Sequence, residues 1–69
     1  MSDARTLSDL RRNRGLTQEQ LARAIHVATK SVCEWEAGTV PRPHNRRKVL
    51  HFFNRPLTDW RAVFGVEAT

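Results

Sequence analysis

The chain has 69 residues, with twelve Lys and Arg against seven Asp and Glu, a formal net charge of +5 and a pI near 11.1. A domain this small buries only about 60% of the surface its unfolded form exposes, which leaves little room to enclose a substrate and makes an enzyme the poorest class. One cysteine excludes an internal disulfide and points to a reducing cytoplasm, while the charge excess favours a polyanionic partner.

No apolar run reaches the roughly 18 residues needed to cross a bilayer, and the opening "MSDARTLSDLRR" lacks the apolar stretch of a secretion signal, so a soluble, cytoplasmic protein is expected. Strand alternation is absent, and Gly and Pro fall where helices would end. The expectation is one all-α domain over residues 1–69, a compact bundle of about five short helices.

In chain order, Leu7 and Leu10 give the first helix its apolar side over residues 7–14, with Thr6 as cap, Asp9 in the first turn and Gly15 as the left-handed stop. The next segment, "LTQEQLA", carries Thr17 as N-cap and Gln20 as its reciprocal partner. Leu16 and Leu21 flank them as a hydrophobic staple. Leu21, Ala22 and Ile25 form the buried stripe, and the helix stops near His26. A third helix, Thr29 to Ala37, follows a short turn. At about 100° per residue it gathers Val32, Trp35 and Glu36 on one side, and Lys30, Cys33, Glu34 and Ala37 on the other with Thr29 at the edge.

Gly38 ends that helix, and "TVPRP" is expected to be non-helical because each Pro restrains the residue before it. A fourth helix is expected over about residues 45–53, where Val49, Phe52 and Phe53 recur at helical spacing behind Arg46, Arg47 and Lys48. Asn54 and Pro56 stop it. Thr58 then caps a last helix whose Trp60, Val63 and Phe64 share an apolar face, closed by Gly65.

Two short helices joined by a turn of about three residues, the second with a small polar face and a basic flank, outline a helix-turn-helix over about residues 17–38. "LRRNRGLTQEQLARAIHV", then "SVCEWEAG" and a downstream Pro, closely resemble the Cro and phage-repressor (Xre-like) helix-turn-helix family across residues 7–43. The resemblance implies a lambda-repressor-like fold and a recognition helix at about residues 29–37. It further implies that Thr29, Lys30 and Glu34 reach base edges, with Cys33 close to the same surface. Lys30 is suited to guanine O6 or N7, Glu34 to cytosine N4, and the Thr29 methyl to thymine. The competing reading of Lys30 and Glu34 is an i,i+4 ion pair on a solvated face.

By the same resemblance, Gln18 meets a phosphate at the start of the second helix, and Arg42, Arg46 and Arg47 track neighbouring phosphates. Arg11 and Glu36 form a structural ion pair, and Val32 and Trp35 belong to the core. The chain departs from the family at His26, where Gly is usual, at Ala28, where Ser or Thr caps the recognition helix, and in the polar start of the fourth helix.

His26, His44 and His51 show no metal-ligand spacing with Cys33, and no Gly-rich phosphate loop is present, so neither metal nor cofactor is expected. Cys33 fits a small neutral filler better than a redox switch. The expected function is sequence-specific transcriptional regulation of the phage or prophage Cro and repressor type. A homodimer would occupy a pseudo-palindromic double-stranded DNA operator. Leu57, Trp60, Val63 and Phe64 are the candidate dimer surface, unless they close the monomer core. The alternative is an antitoxin-like or accessory autoregulator that also binds a foreign protein through that apolar face. A weaker one is non-specific binding of polyanions or of a membrane surface, driven by charge alone.

Overall fold

The computed structural model describes residues 6–65. They form α1 (Leu7–Asn13), α2 (Gln18–Ala24), α3 (Thr29–Glu36), α4 (Pro43–Phe52), a 3₁₀ turn (Leu57–Asp59) and α5 (Trp60–Val63). The all-α architecture anticipated from the apolar periodicity is what the chain adopts.

Local chemistry sets the first boundaries. The Thr6 hydroxyl accepts from the Asp9 N–H at 3.2 Å and opens α1, and Gly15, at φ +68°, takes the left-handed conformation that closes it. At α2 the Thr17 hydroxyl accepts from the Gln20 N–H at 3.0 Å, and the Gln20 side-chain oxygen accepts from the Thr17 N–H at 2.8 Å. Two amides that a helix start would otherwise leave without partners are thereby satisfied.

The α2–α3 turn passes through His26 at φ +60°, a conformation that a side chain with a Cβ adopts at a cost. Ala28 is the N-cap residue of α3 and offers no side-chain acceptor, while Thr29 is already helical and does not take over that role.

Two boundaries differ from expectation. Helix α4 begins at Pro43 and not near residue 45, because Pro suits the first helical position, where its missing N–H has no intrahelical partner to lose. The restraint that Pro imposes falls on Arg42, which is extended as the N-cap residue. At the other end Thr58 lies inside the 3₁₀ turn and caps nothing, and α5 is only four residues long.

The core gathers Leu7 and Leu10 from α1, Leu21, Ala22 and Ile25 from α2 and its end, and Val32 and Trp35 from α3. From the C-terminal half come Val49, Leu50, Phe53, Val63 and Phe64. Leu50 takes the fully buried place that the spacing assigns to Phe52. Phe52 is half-buried and shares the Arg14 guanidinium with Phe53, each ring centroid 5.0 Å from its carbon. Trp35 meets Phe64 edge-on, with centroids 6.2 Å apart, which fastens α3 to the end of α5. Among the described residues no helix is long and apolar enough to cross a membrane.

Candidate nucleic-acid interface

Helix α3 sorts its residues by face as the angular pattern requires. Val32 and Trp35 are 0% and 6% exposed, whereas Thr29, Lys30, Cys33 and Glu34 all lie on the surface. Lys30 and Glu34, one turn apart, form no ion pair with each other or with any other described residue. Their donors and acceptor face outward together with the Thr29 methyl and hydroxyl. An ammonium, a carboxylate and a β-branched alcohol on one short helical edge supply the hydrogen-bonding vocabulary of the major groove.

What holds this edge is a polar bracket across three helices. Arg11 Nε of α1 donates to Glu36 Oε2 of α3 at 2.6 Å, and a second guanidinium nitrogen donates to Glu36 Oε1 at 3.2 Å. A third nitrogen of Arg11 donates to the Leu16 carbonyl at 2.7 Å, tying in the loop before α2. Both charged side chains are about nine-tenths buried. Burial by itself would raise the Glu36 carboxyl. The hydrogen bonds from Arg11 and Gln18 and the charges of Arg11 and Arg12 outweigh it and hold Glu36 below the ordinary carboxylate range. The bond to Glu36 chiefly raises Arg11 above its ordinary value, against the opposing effect of burial.

Gln18 joins the same bracket. Its Nε2 donates to Glu36 Oε1 at 3.0 Å, and its Oε1 accepts from the Cys33 thiol at 3.0 Å. The glutamine assigned to a phosphate thus has its side chain half-buried against α3. Cys33 is drawn into a contact within the domain as well as lying on the exposed face of α3. Neither link has a local signal in the sequence, since the partners stand fifteen and eighteen residues apart.

The basic flank runs from the N-cap residue of α4 into the middle of that helix. Arg42, Arg47 and Lys48 are exposed, and Arg46 is half-buried. The Arg46 guanidinium sits over the Trp60 ring, 4.1 Å from its centroid, and Arg61 approaches the same ring at 5.4 Å. These stacks were not anticipated from sequence spacing.

The candidate dimer surface divides. Leu57 is 54% exposed and Trp60 half-buried, but Val63 and Phe64 are each 3% exposed. Those last two therefore belong to the monomer core and are corrected here: the face they share with Trp60 is covered by the domain itself. Among the described residues no group of three or more His, Cys, Asp and Glu gathers in a way that would hold a metal ion.

A family model described as helix-turn-helix matches residues 7–60, from the first residue of α1 to the first of α5. No curated protein and no solved structure matches the chain. With the match spanning most of its length and the braced, outward-facing α3 at its centre, the chain belongs to the Cro and phage-repressor (Xre-like) helix-turn-helix family of DNA-binding transcriptional regulators.

Proposed function

We propose that the protein is a repressor of the phage or prophage Cro type that occupies a pseudo-palindromic operator as a homodimer. The observation that carries this reading is the unpaired, outward-facing set Thr29, Lys30 and Glu34 on a helix held from behind by Arg11 and Glu36. Lys30 serves as donor to guanine, Glu34 as acceptor from cytosine, and Thr29 contacts thymine, with Cys33 beside them. Arg42, Arg46 and Arg47 contact phosphates and fix the register, and Gln18 reaches a phosphate through the amide hydrogen that Glu36 leaves free.

A single recognition helix reads too few base pairs for genomic selectivity, so two copies place their helices about 34 Å apart, one DNA turn. We place the dimer contact around Leu57, the most exposed large apolar side chain among the described residues. That same exposure supports the rival reading, an antitoxin-like autoregulator whose Leu57 surface takes up a foreign protein.

Selection of bound duplexes from a random pool tests the proposal. The expected product is an inverted repeat with half-site centres about 10 base pairs apart, bound at least about a thousandfold more tightly than unrelated DNA at one salt concentration. A pool that fails to converge overturns sequence-specific repression and leaves charge-driven binding.

A further inference from the structure

We propose that Trp60 is a positioning residue for DNA binding: its ring holds the Arg46 guanidinium by one face and leaves the N–H edge free to fork a phosphate. The proposal rests on the reading of Arg46 as a phosphate ligand. It removes Trp60 from the dimer surface and gives it a task at the DNA.

Arg46 stands one helical turn after Arg42, the extended N-cap residue of α4, with its backbone N–H bonded to the Arg42 carbonyl at 2.9 Å, so the two arginines adjoin at the start of that helix. The Arg46 guanidinium lies 4.1 Å from the Trp60 centroid. Among the described residues it has no hydrogen bond and no ion pair, and no buried side-chain nitrogen or oxygen lacks a partner. Its donors therefore face water. Asp59, the acid next to Trp60 in the chain, is ion-paired with Arg55 at 3.9 Å.

A guanidinium stacked in this way keeps all five in-plane N–H donors, and a planar fork fits a phosphate through two of them. Stacking also restricts a long side chain before DNA arrives, which lowers the ordering cost of the contact. Arg61 on the same ring, at 5.4 Å, adds positive charge to the patch and supplies no carboxylate that would neutralise Arg46. A self-complementary dimer centred on Trp60 would bring these arginines toward their own copies, an arrangement that like charges oppose.

Because phosphate contacts persist on any sequence, a short random-sequence duplex is a sufficient probe. Affinity is measured across a salt series for the wild type, Arg46→Ala, Trp60→Leu, Trp60→Phe and the Arg46→Ala/Trp60→Leu double variant. Thermal melting and sedimentation of the free proteins accompany it. Arg46→Ala is expected to weaken binding about tenfold per bound protomer and to lower the salt slope by about one. Trp60→Leu is expected to weaken it about threefold, the worth of an exposed cation–π contact, while the salt slope stays at its wild-type value because the charge remains.

The double variant should bind no more weakly than Arg46→Ala alone. Trp60→Phe, with a weaker ring in the same place, should lose about twofold alone and nothing further when combined with Arg46→Ala, and this second pair carries the test if the leucine variant melts too low. Wild-type affinity for both Trp60 variants, losses that add to that of Arg46→Ala, or a loss matched by dimer dissociation overturns the positioning role. Unchanged affinity and slope in Arg46→Ala overturns the phosphate reading itself, a distinct outcome.

Discussion

Glu36 is the residue on which most of the bracket converges, receiving two donors from Arg11 and one from Gln18. Removing its charge leaves a guanidinium about nine-tenths buried without its counter-ion. Glu36→Gln is expected to cost about 2 kcal/mol, below the range for fully enclosed pairs because the rim touches water. In a domain of this size that lowers the melting temperature by about 10 °C, measurable by circular dichroism. The pH dependence follows from direction alone. Glu36 titrates below its unfolded value, so its contribution is complete above the ordinary carboxylate range and is lost as pH falls through the folded value. Arg11 is raised, so its share fades only in strong alkali. Urea midpoints from pH 7 down to pH 3 should therefore fall for the wild type and fall less for Glu36→Gln. Equal slopes would show that Glu36 is not the acid-sensitive group.

Among the elements, α3 is the one whose start the chain supports least. Its N-cap residue is an alanine and its approach runs through a left-handed histidine. Ala28→Ser is expected to stabilise the domain by about 1 kcal/mol by supplying the missing acceptor, and a raised urea midpoint with unchanged m-value would record it. The limits of α1 to α3 are legible in the sequence to within a residue or so because caps, staple and apolar stripe all act within one or two turns of chain. The start of α4 is not, since Pro43 looks like a break until its place at the first helical position is known. The C-terminal apolar run marks Trp60, Val63 and Phe64 as sharing a face, but periodicity cannot say what covers that face; only packing assigns Val63 and Phe64 to the core. The exposed edge Thr29, Lys30, Cys33 and Glu34 follows from helical angle, whereas the stack of Arg46 on Trp60 and the bonds of Gln18 join distant segments without a local signal.

At the scale of the whole molecule, the longest extent is 32 Å, close to one DNA turn of about 34 Å, and the proposed reading edge occupies a single eight-residue helix at the surface. Under the proposed reading selectivity comes from pairing copies, and the residues assigned to bases and to phosphates should fail differently. Lys30→Ala is expected to change which duplexes emerge from selection, with a cost of about 1–3 kcal/mol confined to one position in each half-site. An equal loss on every sequence would reduce Lys30 to a phosphate ligand. The two tryptophans follow this division. Trp35 is sealed against Phe64 in the interior, while Trp60 lies under the guanidinium groups of Arg46 and Arg61. The molecule would thereby carry its own pair of optical reporters: with Trp60 replaced by Phe, residual fluorescence is expected to follow unfolding, and any quenching that this replacement abolishes would report the approach of nucleic acid to Trp60.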